Sequence, residues 1–467
     1  MGSVKWVVQL VSWAATFVIA RLLTPSDYGL IGMAAVYLTL MTLLSEFGIG
    51  TVVVAFTDFD DAKLAELNTL SLLFGASAFM ISCLVAGPIG WFFKSPELVA
   101  VVLVMSLNFV IMAFRTVPQS LLQKRLAFRR LALIEGAQSL VLAGATLALA
   151  LAGFRYWALV GGVIASGLVS TALLTWSVRP SYRWPRWGAM RRTLTFSGEI
   201  LVSRLAWYVY SDSDFFVAGK LLGKAALGAY TLAWNLAYVP MEKITTLVNS
   251  VTPGIFSASQ KDVAELRRYV LLITEGLSFI TFPATIGLGL VAKDLVPVVV
   301  GEQWRSAILP LQLLCISAGL RSVTPVLAQI LIVAKDTRYL MWRTLFAALI
   351  LPPGFVMAAR WGTAGLAGAW LIVYPVIVAF PMWRRAFQRL DLPVRRYFAA
   401  LQPATEGCLL MAGTVWLSRE FLFAGLPALA RLLLLVAIGA LSYACVLLLR
   451  WRSKIVDFQA TLRLLRQ

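Results

Sequence analysis

The sequence predicts an all-α integral membrane protein, with about 14 transmembrane helices in two six-helix lobes related by a parallel pseudo-two-fold, followed by two C-terminal helices. Three observations carry this expectation. The 467 residues are 60% apolar and 13% charged, with a mean hydropathy of +0.83. A soluble domain is roughly 45–50% apolar and about 25% charged, and a surface this apolar needs lipid around it. Apolar runs of roughly 20 residues, the length a bilayer requires, recur with short polar segments between them. Two stretches of sequence also repeat at nearly one offset.

The runs lie near 4–23, 28–56, 67–93, 97–123, 131–153, 156–178, 194–219, 227–256, 269–291, 306–333, 339–358, 363–383, 397–418 and 427–449. Met1 to Lys5 and the apolar stretch behind them resemble a signal peptide. No small-residue cleavage site follows, and the run reaches Arg21, so it reads as the first span. The predicted organisation is an N-lobe over 1–178, a basic linker over 179–193, a C-lobe over 194–383, spans thirteen and fourteen over 384–449, and a basic tail over 450–467. In the tail, Ile455, Phe458, Leu462 and Leu465 recur at helical spacing, as in an amphipathic helix lying on an anionic leaflet.

The net charge of +19 is unevenly placed. Most of the 41 Lys and Arg fall in the termini and the even-numbered loops, including Lys124, Arg125, Arg129 and Arg130, the stretch from Arg179 to Arg192, and that from Arg384 to Arg396. The positive-inside rule then places both termini in the cytoplasm. The charge is topological, and no nucleic-acid partner is expected. Asp58, Asp60, Asp61 and Glu66 make one cytoplasmic loop acidic, but acidic residues weigh little in this rule. The chain has no histidine, which removes His-based metal sites, Ser-His-Asp triads and imidazole relays. Cys83, Cys315, Cys408 and Cys445 lie in apolar runs without paired spacing and read as core residues. There is no Walker A sequence. No catalytic set, metal or cofactor is expected.

The repeat aligns Phe17–Gly29 with Phe216–Gly228 at an offset of 199, matching Arg21 to Lys220 and Gly29 to Gly228. Arg115-Thr-Val117 aligns with Arg321-Ser-Val323 at an offset of 206, with Gln123 opposite Gln329. Six spans separate equivalent helices, so both copies face the same way and enclose a cavity. An intramembrane arginine costs roughly 2.5–3.5 kcal/mol on insertion scales and tends to face a cavity or a partner. Arg115 and Arg321 are therefore the first candidates for a cationic floor that binds a phosphate or pyrophosphate bidentately. A neighbouring carboxylate, or snorkelling to the interface, is the competing account of each.

Span seven is the most polar, with Glu199, Arg204, Asp212 and Asp214. Arg204 joins the phosphate-binding candidates. Asp212, Asp214, Glu46, Glu199, Glu135 and Glu275 are the candidates for coupling to H+ or Na+, each also explicable as a structural hydrogen-bond partner. Pro118 and Pro325 follow the paired arginines and are the candidate hinges, or else static kinks.

These residues bear a family resemblance. Arg21-Leu-Leu-Thr-Pro-Ser-Asp-Tyr-Gly29 and Leu44-Ser-Glu-Phe-Gly-Ile-Gly50 resemble the opening of the Wzx-type polysaccharide transporters of the multidrug/oligosaccharidyl-lipid/polysaccharide superfamily. Gly228-Ala-Tyr-Thr-Leu-Ala-Trp-Asn-Leu-Ala-Tyr-Val-Pro240, Val296–Trp304, Leu311–Cys315 and Gly319–Val323 are similar to its colanic-acid-exporter branch. The sequence departs from the family in beginning close to span one, which reads as a shortened start. The resemblance implies a two-lobe, alternating-access flippase of the bacterial inner membrane. Its substrate would be an undecaprenyl-pyrophosphate-linked oligosaccharide, and its protein partners a polysaccharide polymerase and chain-length or export proteins. An ion-coupled multidrug carrier of the same superfamily would favour an apolar, acid-lined cavity. A membrane glycosyltransferase or polymerase would need a long extracytoplasmic catalytic loop, which the sequence lacks.

Overall fold

The computed structural model describes residues 14–56, 60–258, 262–423, 425–452 and 454, with side chains in 187–200 and 239–258 described only in part. The predicted amphipathic tail from Ile455 onward and the start of span one lie outside these residues. The described chain is helical throughout. Helix α1 covers residues 14–22, followed by α2 (Pro25–Glu46), α3 (Ile49–Ala55), α4 (Asp61–Phe92), α5 (Glu97–Lys124), α6 (Phe128–Leu151), α7 (Tyr156–Val178) and α8 (Trp187–Val217). Next come α9 (Lys224–Ala258), α10 (Val263–Leu295), α11 (Ile308–Val333), α12 (Thr337–Ala358), α13 (Gly362–Tyr374), α14 (Phe380–Leu390), α15 (Val394–Leu417) and α16 (Ala428–Arg450). Nine stretches among the described residues are long and apolar enough to cross a membrane. The chain is a multi-pass membrane protein.

Several helices begin earlier or run longer than expected, among them α4, α10 and α14, and two differences bear on the site. Span two is not one helix: the chain turns left-handed at Phe47 (φ 42°) and Gly48 (φ 68°), so α2 stops at Glu46 and α3 restarts at Ile49. Only glycine adopts such a φ without cost. Span seven begins earlier than 194, because helix α8 starts at Trp187 and takes up the end of the basic stretch.

The chain divides into two compact units at Gly228/Ala229. In the first, α4 packs along α5, α6 along α7, and α8 on α2 and α3. In the second, α10 packs on α11, α15 and α16. Polar contacts between loops sort by parity. Asp27 pairs with Arg155 at 3.5 Å and Glu97 with Lys224 at 2.8 Å, all from odd-numbered connections. Glu66 lies 3.9 Å from Arg186, and the Asn68 amide donates to the Ser181 carbonyl at 3.0 Å, all from even-numbered ones. In the second unit the same holds for Asp336 with Arg385 (2.8 Å) and Arg389 (3.0 Å), and for Asp294 with Arg419 (2.6 Å). The spans that these connections join therefore run in alternate directions.

Helices α2 and α9 start at Pro25 and Lys224 and approach backbone to backbone at Gly29 and Gly228. A Cβ on Gly29 would lie 1.6 Å from the Lys224 carbonyl oxygen, and one on Gly228 would lie 1.8 Å from that of Pro25. The Thr24 hydroxyl and Asp27 carboxylate close a capping box at the start of α2.

Asp336 receives hydrogen bonds from Arg385 and then Arg389, which hold its carboxyl below the usual carboxylate range. A depressed pKa contributes stability above the ordinary Asp value of about 3.9, and the contribution is lost as pH falls below it. Asp336→Asn is expected to lower Tm at pH 7 by about 1–3 °C, with the gap closing at pH 3. Thermal unfolding of the purified proteins at both pH values checks this, and an equal gap at both would contradict it.

Candidate functional site

The break between α2 and α3 positions the site. Phe47 caps α2 through its N–H to the Leu43 carbonyl, so Glu46 ends the helix with its carboxylate beside the turn. Gly50 lets α3 approach α5, where a Cβ would meet the Ser120 hydroxyl at 2.9 Å. From α8, one Arg204 nitrogen donates to Glu46 Oε2 at 3.4 Å and another to Thr51 Oγ1 at 3.3 Å. From α5, Arg115 donates to the Ser170 hydroxyl on α7 at 3.1 Å and to Gln138 Oε1 on α6 at 3.4 Å.

Glu46, Thr51, Arg115, Gln119, Gln123 and Arg204 line one polar cavity of about 460 Å³ within the first unit. Two guanidiniums against one carboxylate leave it net cationic, and the glutamine amides add neutral donors. Arg115 is half-buried, and its hydrogen bonds go to uncharged partners. A diphosphate entering the cavity could accept charge-assisted bonds from both guanidiniums.

The structure thus brings together Arg115, Arg204 and Glu46, which sequence reasoning had assigned to two separate roles. It missed Thr51, Thr116, Gln119 and Ser120 in the lining, and Gln138 and Ser170 as the anchors of Arg115. Part of this was visible: Arg115, Gln119 and Gln123 fall at i, i+4 and i+8 on one helix face. The anchors come from other helices and leave no such mark.

Arg321 has a different environment. In the second unit its guanidinium carbon lies 4.5 Å from the Trp370 ring centre, 4.9 Å from Tyr238, 4.9 Å from Tyr374 and 5.6 Å from Trp234. Trp234 stacks on Tyr238 at 4.1 Å, and the Tyr238 hydroxyl donates to Ser317. The cage holds the cation by its ring faces. The two arginines therefore sit in different surroundings, Arg115 on amide and hydroxyl oxygens and Arg321 among aromatic rings.

The remaining candidates are dispersed. Asp214 is buried, and Asp212 accepts from the Ser211 hydroxyl near the end of α8. The Glu199 side chain lies outside the described residues. Glu135 is exposed on α6. Glu275 is buried and lies 3.6 Å from the Lys454 ammonium, so it has a structural partner. Pro118 and Pro325 both lie inside their helices, α5 and α11. Neither proline can donate to the carbonyl four residues earlier, which for Pro325 is that of Arg321 itself.

The family described as polysaccharide biosynthesis protein matches residues 18–309, well over half of the chain and including the whole cavity. The chain belongs to the polysaccharide biosynthesis protein family. Within this family it is 28% identical over 362 residues to the lipopolysaccharide biosynthesis protein WzxC of Escherichia coli, covering 76% of this chain and 73% of that protein. It is 28% identical over 413 residues to the teichuronic acid biosynthesis protein TuaB of Bacillus subtilis, covering 86% and 84%. It is 24% identical over 448 residues to the succinoglycan biosynthesis transport protein ExoT of Rhizobium meliloti, covering 93% and 89%. The fold is that of the lipid II flippase MurJ in its inward closed conformation, with a TM-score of 0.80 at 13% identity, over 97% of this chain and 99% of that one. The Wzx-type resemblance read from the sequence is the correct classification, and this family member is a membrane transporter rather than an enzyme.

Proposed function

We propose that this polysaccharide biosynthesis protein is a flippase that moves undecaprenyl-pyrophosphate-linked oligosaccharide units from the inner to the outer leaflet of the bacterial inner membrane. The observation that carries the reading is the net cationic cavity built on Arg115 and Arg204. The relatives are named for lipopolysaccharide, teichuronic acid and succinoglycan, which differ in their sugars. A site common to such proteins is best directed at a group independent of the sugar, which in this proposal is the lipid-linked diphosphate, and arginine pairs suit that group. Arg321 is proposed as a second cationic contact. A multidrug carrier would be better served by an acid-lined, apolar cavity.

The proposal extends to alternating access between two repeats of six helices, with both termini cytoplasmic and Pro118 and Pro325 as hinges. Coupling to H+ or Na+ falls to Glu46, which shares the cavity, before Asp212 and Asp214. A polymerase and chain-length or export proteins would receive the product. In a host lacking its own exporter, wild-type protein should restore surface polysaccharide. Arg115→Ala and Arg321→Ala should each abolish that export while membrane protein levels hold. Normal export from the double variant would refute the cationic-site reading.

A further inference from the structure

A second built surface lies far along the chain from the cavity, where α14 leads into α15. Helix α14 buries Met382, Trp383, Ala386, Phe387 and Leu390 and leaves Arg384 and Gln388 exposed on its other face. Two grooves flank that face. One, of about 610 Å³, is mainly apolar and lined by residues including Phe380, Trp383, Phe387, Val394 and Phe398. The other, of about 650 Å³, is lined by Tyr339, Arg384, Arg385 and Gln388 among others. Phe380, Arg384 and Gln388 line both grooves.

Charge around the grooves is unbalanced. Asp336 serves Arg385 and Arg389, while Arg343 is half-buried with one nitrogen 3.0 Å from the Met382 sulfur and its Nε unsatisfied. Arg384 is exposed, and Arg395 and Arg396 are exposed at the start of α15. The Trp383 indole N–H lacks an acceptor among the described residues, although the side chain is 3% exposed. An excess of guanidiniums and an idle buried donor thus border a groove whose rim residues Phe380 and Phe398 are each 49% exposed.

We propose that this surface binds an anionic glycerophospholipid. Its phosphate sits against Arg384, Arg385 and Gln388, and an acyl chain runs along Phe380, Phe387 and Phe398. Basic pockets beside spans on the cytoplasmic side suit such headgroups, and the exposed apolar groove offers the chain a continuous seat. The site shares no residue with the polar cavity of the first unit, and only its assignment to the inner leaflet rests on the proposed topology.

Native mass spectrometry of the full chain in detergent tests this with phosphatidylglycerol, phosphatidylcholine of the same acyl chains, and undecaprenyl phosphate. Wild type should retain phosphatidylglycerol at least about tenfold better than phosphatidylcholine. Arg384→Ala should remove most of that preference, and Trp383→Phe should weaken it with the fold intact. Equal retention of both phospholipids, an unchanged preference in Arg384→Ala, or displacement by equimolar undecaprenyl phosphate would overturn the proposal.

Discussion

Gly228→Ala protein is expected to fail to accumulate as a folded species in the membrane. The methyl group would be placed 1.8 Å from the Pro25 carbonyl oxygen and 2.8 Å from the Gly29 nitrogen. Both are backbone atoms, so no side-chain rotation relieves the clash. Overpacking in cores typically costs about 1–3 kcal/mol, and this crossing should lie at or above the top of that range. Gly29→Ala should behave alike, because its methyl would meet the Lys224 carbonyl oxygen at 1.6 Å. Small residues at helix crossings are how membrane helices achieve close packing. Gly136, where an added Cβ meets nothing within 4 Å, is the control, and Gly136→Ala should express normally. Detergent-extracted, monodisperse protein is the readout. Wild-type yields of Gly228→Ala would show that the two helices do not cross as described.

The second large effect is functional. Arg204→Ala removes one of the two guanidiniums facing the cavity and leaves Glu46 with its carboxylate less well paired. A charge-assisted hydrogen bond contributes about 1.5–3 kcal/mol, so transport at limiting substrate should fall by one to two orders of magnitude. Stability should change little, because Glu46 and Arg204 keep 32% and 41% of their side-chain surface. Such solvent-screened pairs contribute about 0–1 kcal/mol. Arg204→Lys should recover only part of the rate, since an ammonium keeps the charge but loses the fork. Glu46→Gln in the Arg204→Ala background should recover part of the diphosphate binding, by removing a carboxylate that repels it, but not ion-coupled transport. Transport and Tm measured across this cycle separate the two roles. Equal losses in both would make the pair merely structural.

Much of the fold could be read from apolar length alone. The run predicted at 156–178 is helix α7 to the residue, that at 97–123 stops one residue short of the end of α5, and that at 427–449 is shifted from α16 by one residue at both ends. Hydropathy averages over many residues and is blind to a single left-handed pair, so the break at Phe47 and Gly48 was hidden in a run that stays apolar on both sides. The site was legible in its charges and not in its grouping. Glu46 and Arg204 lie 158 residues apart, and nothing local says that α8 packs on α2. The repeat located Arg115 and Arg321, yet it carries no information on the aromatic rings that surround only the second. Those rings come from α9 and α13, whose apolar composition reads as ordinary span.

In the proposed function, Arg115 and Arg204 hold a lipid-linked diphosphate as it crosses the bilayer. The most direct test reconstitutes the purified full chain in proteoliposomes holding an undecaprenyl-pyrophosphate-linked oligosaccharide, and follows the lipid's exposure to an external lectin or glycosidase. Wild-type protein should expose lipid initially confined to the inner leaflet, and Arg115→Ala/Arg204→Ala protein should do so no faster than empty vesicles. Translocation by the double variant at the wild-type rate would show that neither arginine holds the substrate.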